Sequence, residues 1–392
     1  MNTLHNQNLL FCPGPVNLDH SVWKSMIKNI GHREAEFSVL LNDLNAKLLK
    51  VFEVKNPRLF HPMVITGSGT AANETVLSTF HDKKVLVITN GEFGERLLAI
   101  SNLHNPKTQS VAFTWGERFD LERIETVVKK SKVDVLVMVH HETSTGMLNP
   151  LEQVGGIAKK YNVELFVDTV SSSPVEKLDL ENWNVTYCTA SSGKAISALP
   201  GLGIILARTS ALEKLKTKST KIMYLDLYKL YLFSKKQLQT PNTPAVHLFF
   251  SLDAALTNIL TIGLPAWREK IRKRATQMRS TFVSLGLEPL LRSDDMSSVL
   301  TTVRLPKGVT FKHLKTVLRK RKIVIYGGKG PLKNKFFQVG HIGNLSEKHI
   351  KYFLSALRDA VSVRKTKRIT ISKKQVKKYS LLPFSPFVQN YQ

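Results

Sequence analysis

Lys194 is the residue of this sequence best placed to react. It stands in Ser191-Ser-Gly-Lys-Ala-Ile196, on a turn of small residues just before Pro200-Gly-Leu-Gly203 and another apolar run. Desolvation on such a turn lowers the pKa of an amine, and a neutral amine is what forms an imine with a carbonyl. One lysine in a chain with 57 lysines and arginines carries no weight alone; its weight comes from what precedes it. Asp168 ends the apolar run Leu165-Phe-Val167. A carboxylate there is costly to bury unless a donor meets it. A protonated ring nitrogen of a bound group is one such partner, and a helix start in the following loop is another. Earlier still, Thr66-Gly-Ser-Gly-Thr-Ala-Ala-Asn-Glu74 opens an apolar helix. Its glycines let a ligand approach the backbone, and free N–H groups at a helix start favour an anion. The loop fits a phosphate cradle and equally an ordinary capped helix. It is neither a Walker A loop nor a GxGxxG.

The elements that must position these residues alternate. Val85–Asn90, Asp134–His140, Leu165–Val170 and Gly203–Ala207 are apolar on both faces, as buried central strands are. Amphipathic helices are expected between them, at Leu121–Lys130 and Leu151–Tyr161. The fold class is therefore α/β, with a mostly parallel sheet sandwiched by helices. Open sheets of this kind bind ligands at the carboxyl ends of their strands, where all three groups fall. Past residue 256 the pattern changes. A basic helix over Pro265–Leu285 leads into strands near Ser298–Arg304 and Ile323–Tyr326, then a last helix over Ser346–Val363. The expected division is an N-terminal arm (1–20), a large domain (21–256), a smaller α+β domain (257–363) and a tail (364–392).

The chain has 392 residues, 42% of them hydrophobic, enough for a large core. Its two cysteines, Cys12 and Cys188, build neither a disulfide framework nor a metal pair. No charged-then-apolar leader opens the chain, and no apolar run approaches the ~20 residues of a spanning helix, so a cytoplasmic protein is expected. The net charge of +27 attracts anions of any kind. The tail contributes Arg364, Lys365, Lys367, Arg368, Lys373, Lys374, Lys377 and Lys378 without an acid, then turns apolar. Such a segment suits nucleic acid or an anionic membrane, or a solvated extension whose apolar end packs on the body.

Several further segments carry a resemblance. They are Cys12-Pro-Gly-Pro15, Gly31-His-Arg-Glu-Ala-Glu-Phe37, Asn90-Gly-Glu-Phe-Gly-Glu-Arg96 and His141-Glu-Thr-Ser-Thr-Gly-Met-Leu-Asn-Pro150. Leu225-Asp-Leu-Tyr228, Thr240-Pro-Asn-Thr243 and Val324-Ile-Tyr-Gly-Gly-Lys329 join them. With the three groups above, the sequence from about residue 10 to 360 resembles the class V aminotransferases of pyridoxal-phosphate (PLP) fold type I, and among them the 2-aminoethylphosphonate–pyruvate transaminases. The resemblance implies PLP as cofactor. It implies Lys194 as the Schiff-base lysine that also moves the substrate proton, and Asp168 as partner of the ring nitrogen. Ser68, Gly69 and Thr70 would hold the phosphate, Phe93 would stack on the ring, and Thr145 would contact the ring or its 3′ oxygen. Thr243 would reach the phosphate of a second subunit, which implies a homodimer. The activity implied is transfer of an amino group between a small amino acid or aminophosphonate and a 2-oxo acid such as pyruvate.

Two positions depart from the family pattern. Gly193 stands where the family has Asn or Gln. Gln338, in Phe337-Gln-Val-Gly-His-Ile-Gly343, stands where an arginine grips the substrate's acid group. A neutral amide does not replace a guanidinium fork, whose charge-assisted bonds to a buried anion contribute roughly 1.5–3 kcal/mol each. One expectation is that Lys329 or Arg33 then supplies the anion site. Otherwise the substrate lacks the usual acid, or the same cofactor serves a lyase or decarboxylase.

Overall fold

The computed structural model describes residues 8–217 and 222–362. The basic and apolar tail from 364 onward lies outside them. A seven-stranded sheet forms the body: β1 (Phe60–Thr66), β2 (Val85–Thr89), β3 (Gln109–Ala112), β4 (Val135–Val139), β5 (Glu164–Asp168), β6 (Tyr187–Ser191) and β7 (Leu202–Arg208). Their spatial order is β1-β7-β6-β5-β4-β2-β3. Pairings among β2 to β6 are parallel, and β7 runs antiparallel to both of its neighbours.

Side-chain alternation explains why these runs are apolar throughout. Leu86 and Ile88 join Leu136 and Met138 in one core, whereas Val85 and Val87 join Val135 and Val137 in the other. Each face is covered, so each strand needs hydrophobic residues at every position. The helix Leu121–Ser131 turns only Ile124 and Val128 fully inward, and its start is held by Asp120, which accepts from the Arg123 amide at 3.0 Å.

The antiparallel strand matters most for function. The chain leaves β6 at Ser191, makes the turn that carries Lys194, and returns as β7 beside the strand it has just left. Lys194 therefore sits at the carboxyl end of β6. Asp168 closes β5 next door, Ser68 follows β1, and Phe93 follows β2. All lie at one end of the sheet.

A second sheet is antiparallel: β8 (Leu300–Arg304), β9 (Tyr326–Gly327) and β10 (Phe336–Gly340), in the order β8-β10-β9. Its core joins Val303, Phe337 and Val339 to Met278, Leu314, Phe353 and Leu357 from the helices Leu264–Ser284, Phe311–Lys320 and Glu347–Val361. The single strand expected over Ile323–Tyr326 is instead two. Ile323–Val324 pairs in parallel with Leu9–Leu10, and Tyr326–Gly327 pairs with β10. Phe11 stacks on Phe353 with ring centroids 4.2 Å apart, so this part of the N-terminal arm packs into the second core. Among the described residues no single helix is long and apolar enough to cross a membrane.

Candidate active site

A cavity of about 250 Å³ opens at the carboxyl ends of β1, β5 and β6. Ser68, Gly69 and Thr70 line one side and Phe93 and Arg96 another, with Asp168 and Lys194 facing in. The first three belong to the start of helix α1 (Gly69–Leu77), whose cap is Ser68, the Oγ of which accepts from the Ala71 amide. Backbone N–H groups there have no helical acceptor and point outward, which makes the cradle anion-binding.

Lys194 is half-buried. Burial first, then the nearby charges of Lys329 and Arg96, push its amine below the ordinary lysine range, while Cys12 and Asp168 pull the other way. The entry loop closes over it. Gly14 has φ +135°, and a β-carbon there would lie 2.5 Å from Lys194 Cδ and 3.0 Å from Nζ. Only glycine lets that loop approach the amine so closely. Gly193 has an equally local reason. A β-carbon at 193 would lie 2.6 Å from Cβ of Pro200, so the side chain that the family pattern expects has no room in this turn.

Asp168 is 5% exposed. Its Oδ2 accepts from Asn73 Nδ2 at 2.6 Å and its Oδ1 from the Val170 amide at 2.8 Å. Asn73 is oriented in turn by Thr189, whose hydroxyl donates to Asn73 Oδ1 at 2.5 Å. Desolvation nonetheless pushes the carboxyl up, because two neutral donors do not replace water around a charge. Among the described residues no cation pairs with it. A protonated pyridine nitrogen facing Asp168 would supply the missing charge. The phosphate cradle lies on the same cavity and the amine faces it too, so the residues present fit PLP.

Phe93 is the second residue of helix α2 (Glu92–His104) and is held from behind. The fully buried carboxylate of Glu142 accepts from the amides of Phe93 (3.1 Å), Gly94 (3.0 Å) and Ser144 (3.1 Å), and from Ser144 Oγ. It does for α2 what a capping side chain does, since Gly91 at the cap position has none.

Four other residues singled out in the sequence do not line this cavity. Thr145 is buried, and its hydroxyl donates to the Glu142 carbonyl at 3.2 Å. Arg33 donates to the Gln239 side chain (3.3 Å) and the Thr240 carbonyl (3.1 Å). Thr243 is exposed in a separate recess beside Tyr224. Gln338, 1% exposed on β10, donates through Nε2 to the carbonyls of Thr143 (2.6 Å) and Ser144 (3.0 Å). Its amide ties the second sheet to the β4–β5 connection. Lys329 does approach: its Nζ is 2.9 Å from Glu92 and 5.2 Å from the centre of the Phe93 ring. The sequence assigns no individual role to Asn73, Arg96 or Glu142, although Arg96 and Glu142 stand in two of the segments that carry the resemblance and Asn73 interrupts an otherwise apolar helix start.

A parallel-rich sheet with one reversed strand, a lysine on the turn into that strand and a carboxylate at the end of the neighbouring strand define a PLP enzyme of fold type I. The chain belongs to the class V aminotransferases, whose family model matches residues 21–339. It is similar to an uncharacterized aminotransferase of Methanocaldococcus jannaschii, 33% identical over 88% of this chain and 90% of that one. A 2-aminoethylphosphonate–pyruvate transaminase of Lysinibacillus sphaericus is 26% identical over 91% of this chain and 98% of its own length. Among solved structures, an alanine–glyoxylate aminotransferase from Nostoc sp. superposes with a TM-score of 0.86 at 29% identity, covering 92% of this chain and 97% of that one. The protein is thus a PLP-dependent aminotransferase.

Proposed function

We propose that this enzyme moves an amino group between a small donor, an aminophosphonate of the 2-aminoethylphosphonate kind or a related amino acid, and a 2-oxo acid such as pyruvate. One observation carries the reading: Lys194 and the buried Asp168 face a single cavity with the Ser68–Thr70 cradle. Relatives named for transfer from 2-aminoethylphosphonate to pyruvate and from alanine to glyoxylate support the choice of donor and acceptor.

Bound PLP supplies the electron sink and the temporary home for the amino group. The chain's own residues do the rest. The Gly69 and Thr70 amides and the Ser68 and Thr70 hydroxyls would hold the phosphate. Asp168, kept in place by Asn73, would keep the ring nitrogen protonated. Phe93 would cover the ring and exclude water from it. Lys194, its amine pushed below the ordinary lysine range by burial, would carry the cofactor and then move the proton between the substrate's Cα and the cofactor. Thr243 acts in a second copy of the chain, in a homodimer. Its exposure, that of Tyr224 (54%), which lines the same recess, and that of Met223 (81%) beside Tyr224 in sequence suit a surface that a partner covers.

The test is spectroscopic. The purified protein should show a visible absorbance band that Lys194→Ala abolishes, that an amino donor bleaches, and that pyruvate restores. A protein that stays colourless after incubation with PLP would sink the reading. Turnover that needs no 2-oxo acid would transfer it to the lyases.

A further inference from the structure

Glu92, first residue of α2, holds two cations at once. Arg96 donates Nη2 to Glu92 Oε1 at 2.8 Å, and Lys329, from the loop after β9, donates Nζ to the same oxygen at 2.9 Å. Both lie over the Phe93 ring, the guanidinium carbon 4.7 Å and the ammonium 5.2 Å from its centre. One carboxylate against two cations leaves a surplus positive charge at the mouth of the Lys194 cavity. Arg96 lines that cavity, and both charges reach Lys194, whose amine they help to depress.

The other groups expected from the sequence to receive a substrate anion are committed elsewhere. Gln338 is buried with its amide on two carbonyls, and Arg33 is bound to Gln239 and Thr240. Of the described residues that line the cavity, Arg96 is the cation besides Lys194. Glu92, Arg96 and Lys329 keep 26%, 37% and 43% of their side-chain surface in water, so their pairing is weak enough to exchange.

We propose that Arg96 and Lys329 together receive the anionic end of the substrate, and that this anion displaces Glu92 from them. Glu92 is then a built-in competitor that selects for charge. A carboxylate merely replaces one monoanion by another on the two cations. A dianionic head, such as a phosphonate or phosphate monoester, brings a second charge and more acceptor oxygens, and wins. The substrate class is an amine whose far end carries a dianion. This rests on the aminotransferase reading above.

The experiment uses holoenzyme with pyruvate as acceptor and compares 2-aminoethylphosphonate with its carboxylate analogue, β-alanine. The wild type should prefer the phosphonate. Lys329→Gln should raise the KM for the phosphonate about tenfold, the loss of one charge-assisted contact, with the change in KM rather than kcat. Glu92→Gln should lower the KM for β-alanine more than that for the phosphonate, shrinking the preference, an effect that loss of a merely structural ion pair would not produce. An unchanged phosphonate KM in Lys329→Gln overturns the proposal, as does a Glu92→Gln variant that weakens both substrates alike. It also fails if Arg96→Gln sheds PLP on dialysis while leaving both KM values unchanged, because Arg96 would then serve the cofactor's phosphate. Turnover of some other amine by an enzyme indifferent to both compounds overturns it too. An absent PLP band would instead sink the aminotransferase reading itself, so the two failures are distinguishable.

Discussion

Asp168 shows how a single residue can cost stability and make function. Its carboxylate is buried, meets two neutral donors, and has its pKa raised by desolvation. A raised folded-state pKa contributes stability below the unfolded value of about 3.9, and loses it as the pH rises through the folded one. Ionising Asp168 in the apo-protein therefore costs stability as the pH rises. Asp168→Asn should make apo-protein more stable at pH 8, by ~1 kcal/mol in urea unfolding, with the gain vanishing towards pH 4. The same variant should lose about 10- to 100-fold in turnover, since a neutral amide does not hold a proton on the ring nitrogen. A variant that lost stability at pH 8 would show that Asn73 and Val170 already satisfy the charge. Lys194 works with the opposite sign. Its amine is depressed, so the rate of PLP incorporation should rise with pH and level off below the ordinary lysine value of about 10.4. Because Lys329 is one cause of the depression, Lys329→Gln should move that plateau to higher pH. A plateau unmoved in the variant would show that burial acts alone.

At the scale of elements, the β4–β5 connection decides where the aromatic ring stands. Glu142 gathers the first amides of α2 from a position 48 residues away in sequence, and Gln338 fastens the second sheet to the Thr143 carbonyl across 195 residues. Glu142→Ala would leave those buried amides without acceptors, an expected loss of about 2–3 kcal/mol in denaturant unfolding. It should also weaken PLP retention on dialysis, because Phe93 loses its fixed backbone. Stability lost with retention intact would separate the two roles. The strands were legible because burial on both faces forces an unbroken apolar run, and Val85–Thr89 and Val135–Val139 fall where expected. The helix Leu121–Ser131 was legible from its apolar stripe. The split at Ile325 was not. Which partner a short strand pairs with depends on Leu9–Leu10, some three hundred residues distant, and local pattern carries no such information.

Over the whole molecule the same division holds. Lys194, Asp168 and the Ser68 loop were recognisable as types in order, because each sits beside its own strand. Asn73, Arg96 and Glu142 act through partners that only the folded sheet brings near, and Thr145, Arg33 and Gln338 lie off the cavity for the same reason. Thr243 raises the remaining question at this scale, since it is exposed and faces a recess other than that of Lys194. If it completes the phosphate site of a second copy, each active site needs residues from two chains. Lys194→Ala and Thr243→Asp, the latter setting a carboxylate against the phosphate, should each be nearly inactive alone. Unfolded together and refolded, half of the dimers would be mixed, and each of these would hold one site with both defects and one with neither. Activity should then recover to about one quarter of wild type. If instead every site is built from one chain, mixing inactive subunits restores nothing, and the recovered rate reads the architecture directly.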